Sequence, residues 1–280
     1  MRKVLLIGCG DLGTAIAVNL HRAGHEVVGV RKSEHKLPLS MHTMQADVTD
    51  FDALKPLSAL TPDVLIYCVA ATAQTDDNYY QHYVLGLKNV LHTQQSNAQL
   101  KHVFFVSSTR VYGQNAAEQI DEAVPAMPAD FGGERLLEAE QLLAAFHCPG
   151  TALRLSGIYG QGRLYLVNMA RDVSRWPAEN HWSNRIHRDD AAAFIAHLVS
   201  AVLTQQTVHP CYIVTDCMPT QQQDVLMWMA QKMGVDTSQV KRLNATKGKQ
   251  LNNARMLDSG FQFTYPTYQH GYATILSSLL

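Results

Sequence analysis

The chain has 280 residues, 46% of them hydrophobic and 17% charged, with a formal net charge of −1 and a pI near 6.9. That composition supports a globular core and excludes a disordered chain. The balanced charge gives no footprint for nucleic acid or an anionic membrane, so the expected partner is a small-molecule substrate. The five cysteines are odd in number and form no C-x-x-C pair, which argues against a disulfide framework and for the reducing cytoplasm. Thirteen histidines show no H-E-x-x-H or comparable spacing, so no metal site is expected. No apolar run is long enough to span a membrane.

Val4-Leu5-Leu6-Ile7 reads as a short buried strand. Gly8, Gly10 and Gly13 follow it in G-x-G-x-x-G spacing, and Leu12, Ile16 and Leu20 then recur at helical period. In this spacing the first glycine makes the turn. The second admits a pyrophosphate to the backbone, and the third lets helix and strand pack. The helix start, with Asp11 and Leu12, offers free N–H groups to the anion. A dinucleotide site is therefore expected here, although a plain glycine turn would share the pattern.

Glu26 to Val30 reads as the second strand and ends in Arg31-Lys32. NAD binders place a carboxylate at this point to hold the ribose 2′-hydroxyl. Two cations suit a 2′-phosphate instead, so NADP is favoured over NAD, with Glu34 nearby counting against it. Met41 to Ala46 is a third strand leading into Asp47 and Val48, both assigned to the cofactor cleft. Asp52 to Leu60 is a short helix. Val64 to Val69 is a buried strand ending at Ala70-Ala71, and Val69, Ala70 and Ala71 are small enough to let a cofactor cross the strand ends. Thr75 to Asn97 has helical spacing. His102 to Val106 is the next strand and runs into Ser107-Ser108-Thr109-Arg110-Val111-Tyr112-Gly113.

Strands and helices thus alternate through the first half. The pattern predicts an α/β fold, a Rossmann-type doubly wound parallel sheet with ligands at the carboxyl ends of its strands. Gly113 to Asp130 is loop-like, Glu134 to Phe146 an amphipathic helix, and Thr151 to Leu155 a strand. A helix over Leu164 to Val173, another from Ala191 to Leu203, a strand Cys211 to Val214 and a helix Thr220 to Met233 follow. The tail from Gln250 is irregular until a helix at His270 to Leu280. Alternation fades after about residue 156. The expected organisation is a dinucleotide-binding part, 1–156, and a continuation of the sheet with a small substrate lobe, 157–280, in one structural unit.

These landmarks resemble the extended branch of the short-chain dehydrogenase/reductase superfamily, the NAD-dependent epimerase/dehydratase family. Residues 107–113 are similar to its S-S-x-x-V-Y-G. Leu153-Arg154 with Ile158-Tyr159-Gly160 and Arg163 is similar to its L-R-x-x-x-V-Y-G-P-G-x-R, and Ile186 to Ala191 to its H-V-D-D-V-A element. The likeness covers nearly the whole chain in order. It departs in two places. Ile7 stands where the family's glycine loop begins. More seriously, the catalytic Y-x-x-x-K pair aligns with Phe131 and Arg135, and no tyrosine or lysine lies between Gly113 and Phe146. Phenylalanine cannot exchange a proton, and arginine is not equivalent to lysine.

The resemblance implies Ser107 and Arg135 beside the cofactor and Ser108 as the catalytic hydroxyl; Tyr112 and Tyr159 are the alternative acids, each also readable as structural, with Tyr112 preferred because it shares the loop of Ser108. Arg163 would clamp an anionic substrate group, and His187 would border the substrate. A Ser108–His187–Asp189 hydrolase lacks the G-x-S-x-G elbow. Two functions stay open. One is an NAD(P)-dependent oxidoreductase, epimerase or dehydratase for a nucleotide sugar or similar small metabolite. The other is a cofactor-binding sensor or protein-interaction module without turnover. A homodimer is a possible assembly.

Overall fold

The computed structural model describes residues 1–34, 37–39, 41–113 and 119–279. Part of the loop-like stretch expected over 113–130, residues 114–118, lies outside the described residues. Seven strands form the central sheet: β1 (Lys3–Ile7), β2 (Glu26–Arg31), β3 (His42–Gln45), β4 (Val64–Tyr67), β5 (His102–Ser108), β6 (Gly150–Leu155) and β7 (Cys211–Val214). Their spatial order is β7-β6-β5-β4-β1-β2-β3. Val4, Leu5, Leu6 and Ile7 of β1 and all four residues of β4 are fully buried. Continuous apolar strands of this kind belong in a parallel sheet with both faces covered, because the crossover helices leave neither face to water. Ile7 pairs with Val30 on one side and Tyr67 on the other, both in parallel register.

The strand order reverses at β1. The chain goes outward to β2 and β3, then crosses back to β4 on the opposite side of β1. Such a switch point opens a crevice at the carboxyl ends of the strands, which is where ligands of open α/β sheets bind. The doubly wound parallel sheet is as the alternating pattern predicts.

The chain forms two compact units. The larger comprises Met1–Gly113, Pro125–Arg154 and Ala191–Tyr212; the smaller contains Leu155–Asp190 and Ile213–Leu280 among its segments. In the smaller unit, strands Gly157–Tyr159 and Arg185–His187 pair in parallel. Asn180–Ser183 pairs with Ala245–Gly248 and Thr220–Gln221. Its core gathers Tyr159, Val167, Leu226, Met229, Tyr272 and Ile275. The pairing of Ala245–Gly248 escapes sequence reading because its residues carry no apolar alternation.

Two elements differ instructively from expectation. The long helix expected from Thr75 consists of an α-turn, Asp76–Tyr79, a π-helical turn, Tyr80–Leu85, and α2, Gly86–Thr93, α1 being the helix Asp11–Arg22 after the glycine loop. The Tyr67 hydroxyl donates to the carbonyl of His82 inside the π turn, and a side chain at Gly86 would collide with that hydroxyl. A tyrosine from β4 thus takes over a backbone acceptor that a regular helix would use. The second difference is helix α3, Phe131–Ala144, which starts three residues before the expected Glu134. Asp130 accepts the Gly133 N–H at 2.9 Å and caps it.

Candidate functional site

The glycine turn comes first. Gly8 has φ +96°, a conformation that favours glycine, and a side chain there would strike the Cys68 carbonyl after β4. A Cβ at Gly13 would overlap the Gly8 carbonyl oxygen. Gly10 differs from both: a Cβ there would meet nothing within 4 Å. The space over Gly10 is open on the ligand side of the turn. Gly10 also caps α1 without any side-chain acceptor, so the first-turn N–H groups are left for an anion.

These residues border a crevice of about 320 Å³ at the strand ends of the larger unit. Its lining includes Gly8, Gly10, Arg31, Lys32, Asp47 and Ala70. Val48 and Val69 line it as well, so most of the residues assigned to the cofactor from sequence come together. Cys68, Thr72 and His82 line it too and carry no sequence signal. The residues present fit a dinucleotide: an open backbone cradle for pyrophosphate, uncapped helical N–H groups, and small residues where the ligand crosses. Lys32 pairs with Asp47 at 2.7 Å. Burial alone would raise the Asp47 carboxyl, but hydrogen bonds from Lys32 and Thr49 hold it below the ordinary carboxylate range. Arg31 forms no ion pair among the described residues. Asp11 is exposed in the first turn of α1, and Leu12 is buried beneath it.

The loop after β5 is held from beneath. Ser107 donates to Glu140 at 2.6 Å. Arg154 reaches the same carboxylate through Nη2 at 2.6 Å and donates through Nη1 to the Tyr112 hydroxyl. All four side chains are buried. Although burial works against its charge, the bonds to Glu140 hold Arg154 protonated. Tyr112 therefore sits inside a closed ionic network. Ser108 Oγ accepts the Arg110 N–H at 3.2 Å and caps a short 3-10 turn.

The positions aligned with the catalytic pair are also accounted for. Phe131 meets Tyr79 edge-on, ring centroids 5.4 Å apart. The Arg110 guanidinium lies over both rings, at 5.1 and 5.3 Å, and donates to the Tyr79 hydroxyl at 2.7 Å. Arg135 binds Asp76 with two bonds, 2.7 and 3.0 Å, and Glu138 with a third at 2.8 Å. The fork of an arginine matches a carboxylate in this way, and a lysine cannot.

The smaller unit has a cleft of its own, about 610 Å³, lined by Arg163, Tyr165, Asn184, Arg185, Gln222 and Tyr272 among others. Arg163 is exposed at it, as is Tyr165 at 70%. Arg185 was not singled out from sequence. It is 3% exposed, donates through Nη2 to Ser183, and has no hydrogen-bond partner for Nη1 among the described residues. Nearby, Asp216 Oδ2 and the Tyr159 hydroxyl are buried without hydrogen-bond partners among the described residues. Burial, opposed by Arg185, pushes the Asp216 carboxyl up to about 7. His187 lies against Tyr159 and Tyr265, centroids 5.2 and 3.9 Å away, and its Nδ1 accepts the Asp189 N–H. Burial lowers its pKa, so it is a neutral ring held inside the unit. A charged residue beside Ile186 in a buried strand was the signal that could have flagged Arg185.

The model of the NAD dependent epimerase/dehydratase family matches residues 4–209. The chain belongs to this family. A Methylobacillus flagellatus structure, provisionally described as an NAD-dependent epimerase/dehydratase, superposes with TM-score 0.91 at 45% identity, covering 99% of this chain and 98% of that one. Protein YeeZ of Escherichia coli K12 is 27% identical over 95% of this chain and 97% of its own length. WbmG of Bordetella bronchiseptica, solved with NAD and UDP, shares the fold at TM-score 0.80 and 15% identity, over 99% and 94% of the two chains.

Proposed function

We propose that the protein is an NAD(P)-dependent oxidoreductase, epimerase or dehydratase acting on a nucleotide sugar or similar small anionic metabolite. The observation that carries this is Arg185. A guanidinium withdrawn from water is costly unless its donors are used. Arg185 lines the cleft, and its Nη1, withdrawn from water and without a hydrogen-bond partner among the described residues, is a donor that a ligand oxygen would satisfy after a small side-chain shift. Arg163 adds a second cation at the same cleft. In this reading the glycine turn holds the pyrophosphate, and the bound nicotinamide supplies the redox chemistry. Ser108 orients the substrate, with Tyr112 behind it, and Ser107 and Arg135 support the cofactor side. His187 positions Tyr159. Arg31, with Lys32, selects NADP over NAD.

The five cysteines are free, and no helix among the described residues is long and apolar enough to cross a membrane. Both suit an enzyme of the cytoplasm with a small-molecule substrate and no nucleic-acid role. A second reading, cofactor binding without turnover, is favoured by Phe131 in place of a proton-exchanging tyrosine. One experiment separates them. Calorimetry with NAD+ and NADP+ establishes binding, and absorbance of the reduced nicotinamide then follows a panel of UDP- and dTDP-hexoses. Turnover that drops on Arg185→Met supports the enzyme. Tight cofactor binding with no hydride transfer from any sugar supports the sensor.

A further inference from the structure

The reacting oxygen of a substrate needs a hydrogen-bond donor, and Phe131 offers none. Four tyrosines are carried by or packed against β4, β5 and the loop after β5. Tyr67 gives its proton to the His82 carbonyl. Tyr79 gives its proton to Gln74 at 3.1 Å and accepts from Arg110. Tyr112 is held by Arg154. Tyr83 differs. Its hydroxyl accepts the Ala71 N–H at 3.4 Å, and its own proton has no acceptor among the described residues.

Its placement is equally specific. Ala71 directly follows Ala70 at the crevice, and Thr72, one residue on, also lines it. The Tyr83 ring packs on Tyr79 at 5.2 Å and meets Phe105 of β5 edge-on at 6.4 Å. Tyr79 in turn touches Phe131. One aromatic chain therefore runs from the vacated catalytic position to the Tyr83 hydroxyl. Tyr83 also lies within the π-helical turn Tyr80–Leu85. Such turns are rare, and they occur often at functional sites because they re-aim side chains that a regular helix would place elsewhere.

We propose that Tyr83 is the hydroxyl donor that replaces the missing tyrosine, bonding the substrate oxygen at which charge develops during hydride transfer. This rests on the oxidoreductase reading above. In the reducing direction the substrate carbonyl gains a hydride at carbon and the Tyr83 proton at oxygen. The C=O π bond breaks, one C–H and one O–H bond form, the dihydronicotinamide is oxidised, and water reprotonates the phenolate. Burial holds the Tyr83 proton above the ordinary tyrosine range, so the group remains a neutral donor at pH 7.

The test uses the full chain labelled with 3-fluorotyrosine. Its Tyr83 fluorine resonance is assigned by its loss in Tyr83→Phe. Saturating NAD+ is expected to shift that resonance. With any UDP-hexose that reduces bound NAD+, Tyr83→Phe should cut turnover about a hundredfold, with NAD+ affinity and melting temperature unchanged because the ring contacts remain. A resonance that stays in place while calorimetry shows NAD+ bound overturns the proposal, whether or not any sugar turns over. So does turnover that survives Tyr83→Phe. Absence of binding of both NAD+ and NADP+ to the unmodified protein shows by calorimetry alone that the cofactor reading has failed, and the donor role falls with it.

Discussion

Gly10 permits a clean separation of folding from binding. Its φ of −77° and extended ψ are open to any residue, and a Cβ there meets nothing within 4 Å. Gly10→Ala should therefore cost no stability and add about 0.4–1 kcal/mol by restricting the unfolded chain. The same methyl would stand where the pyrophosphate approaches. Overpacking of this kind costs about 1–3 kcal/mol, which corresponds to about a 5- to 150-fold rise in Kd for NAD+. Gly13→Ala is the contrasting control, since its Cβ overlaps the Gly8 carbonyl. That variant should lose about 1–3 kcal/mol, lowering Tm by several degrees. Calorimetry with NAD+ and thermal unfolding of both variants measure the two effects. Wild-type affinity in Gly10→Ala would refute the cradle. Equal destabilisation of the two variants would refute the geometric distinction.

Arg31→Ala should weaken NADP+ binding by about 10- to 150-fold, the range for a hydrogen bond to a charged group, and NAD+ by far less. Equal affinities of the unmodified protein for the two cofactors, measured at low and high salt, would remove the basis for it. Asp216→Asn should flatten the dependence of stability on pH. The folded carboxyl titrates near 7 rather than at 3.8, so its stabilising contribution is complete below about 4 and lost as pH rises through 7. That interval is worth at most about 4 kcal/mol, and urea unfolding of both proteins from pH 4 to 8 would show it. Parallel profiles would mean that Asp216 ionises freely.

The sheet was legible because buried parallel strands are apolar along their whole length. Val4 to Ile7 and Val64 to Tyr67 admit no other placement, and the G-x-G-x-x-G spacing locates the turn between strand and helix. The residues that line the crevice from β4, Val69 and Ala70, were legible for the same reason: they follow a strand whose end is fixed. Less was visible where a long-range partner decides the local state. The π turn at Tyr80–Leu85 depends on a hydroxyl from β4, fifteen residues away in sequence. Spacing alone gives that stretch the period of an ordinary helix. Arg185 and Asp216 were missed because a charge next to an apolar run reads as a strand end. Only burial shows that each keeps, inside the unit, a polar atom with no hydrogen-bond partner among the described residues.

Phe131 and Arg135, the positions that the resemblance aligns with the family's tyrosine and lysine, are each matched by their surroundings. Arg135 is matched by Asp76, whose carboxylate takes both arms of the fork. A lysine would offer that carboxylate a point charge without the planar fork that meets both oxygens in parallel. Asp130 caps the helix that begins at Phe131 and also binds Arg110. Arg110 then covers Phe131 and Tyr79 together, and Gly132 leaves it room, since a Cβ there would overlap the guanidinium. Residues that share partners in this way are coupled, so their substitutions do not add. A phenylalanine at 131 is the ring that such a cation can cover without competing for a phenolic hydroxyl. Asp76, Arg110, Asp130 and Gly132 fix the position as apolar, while Gly8, Gly10 and Gly13 keep the backbone cradle open. The phosphate side of the crevice has the open backbone geometry that anion binding requires, and the side around Phe131 is an aromatic cluster in which the Tyr83 hydroxyl keeps a proton with no acceptor among the described residues.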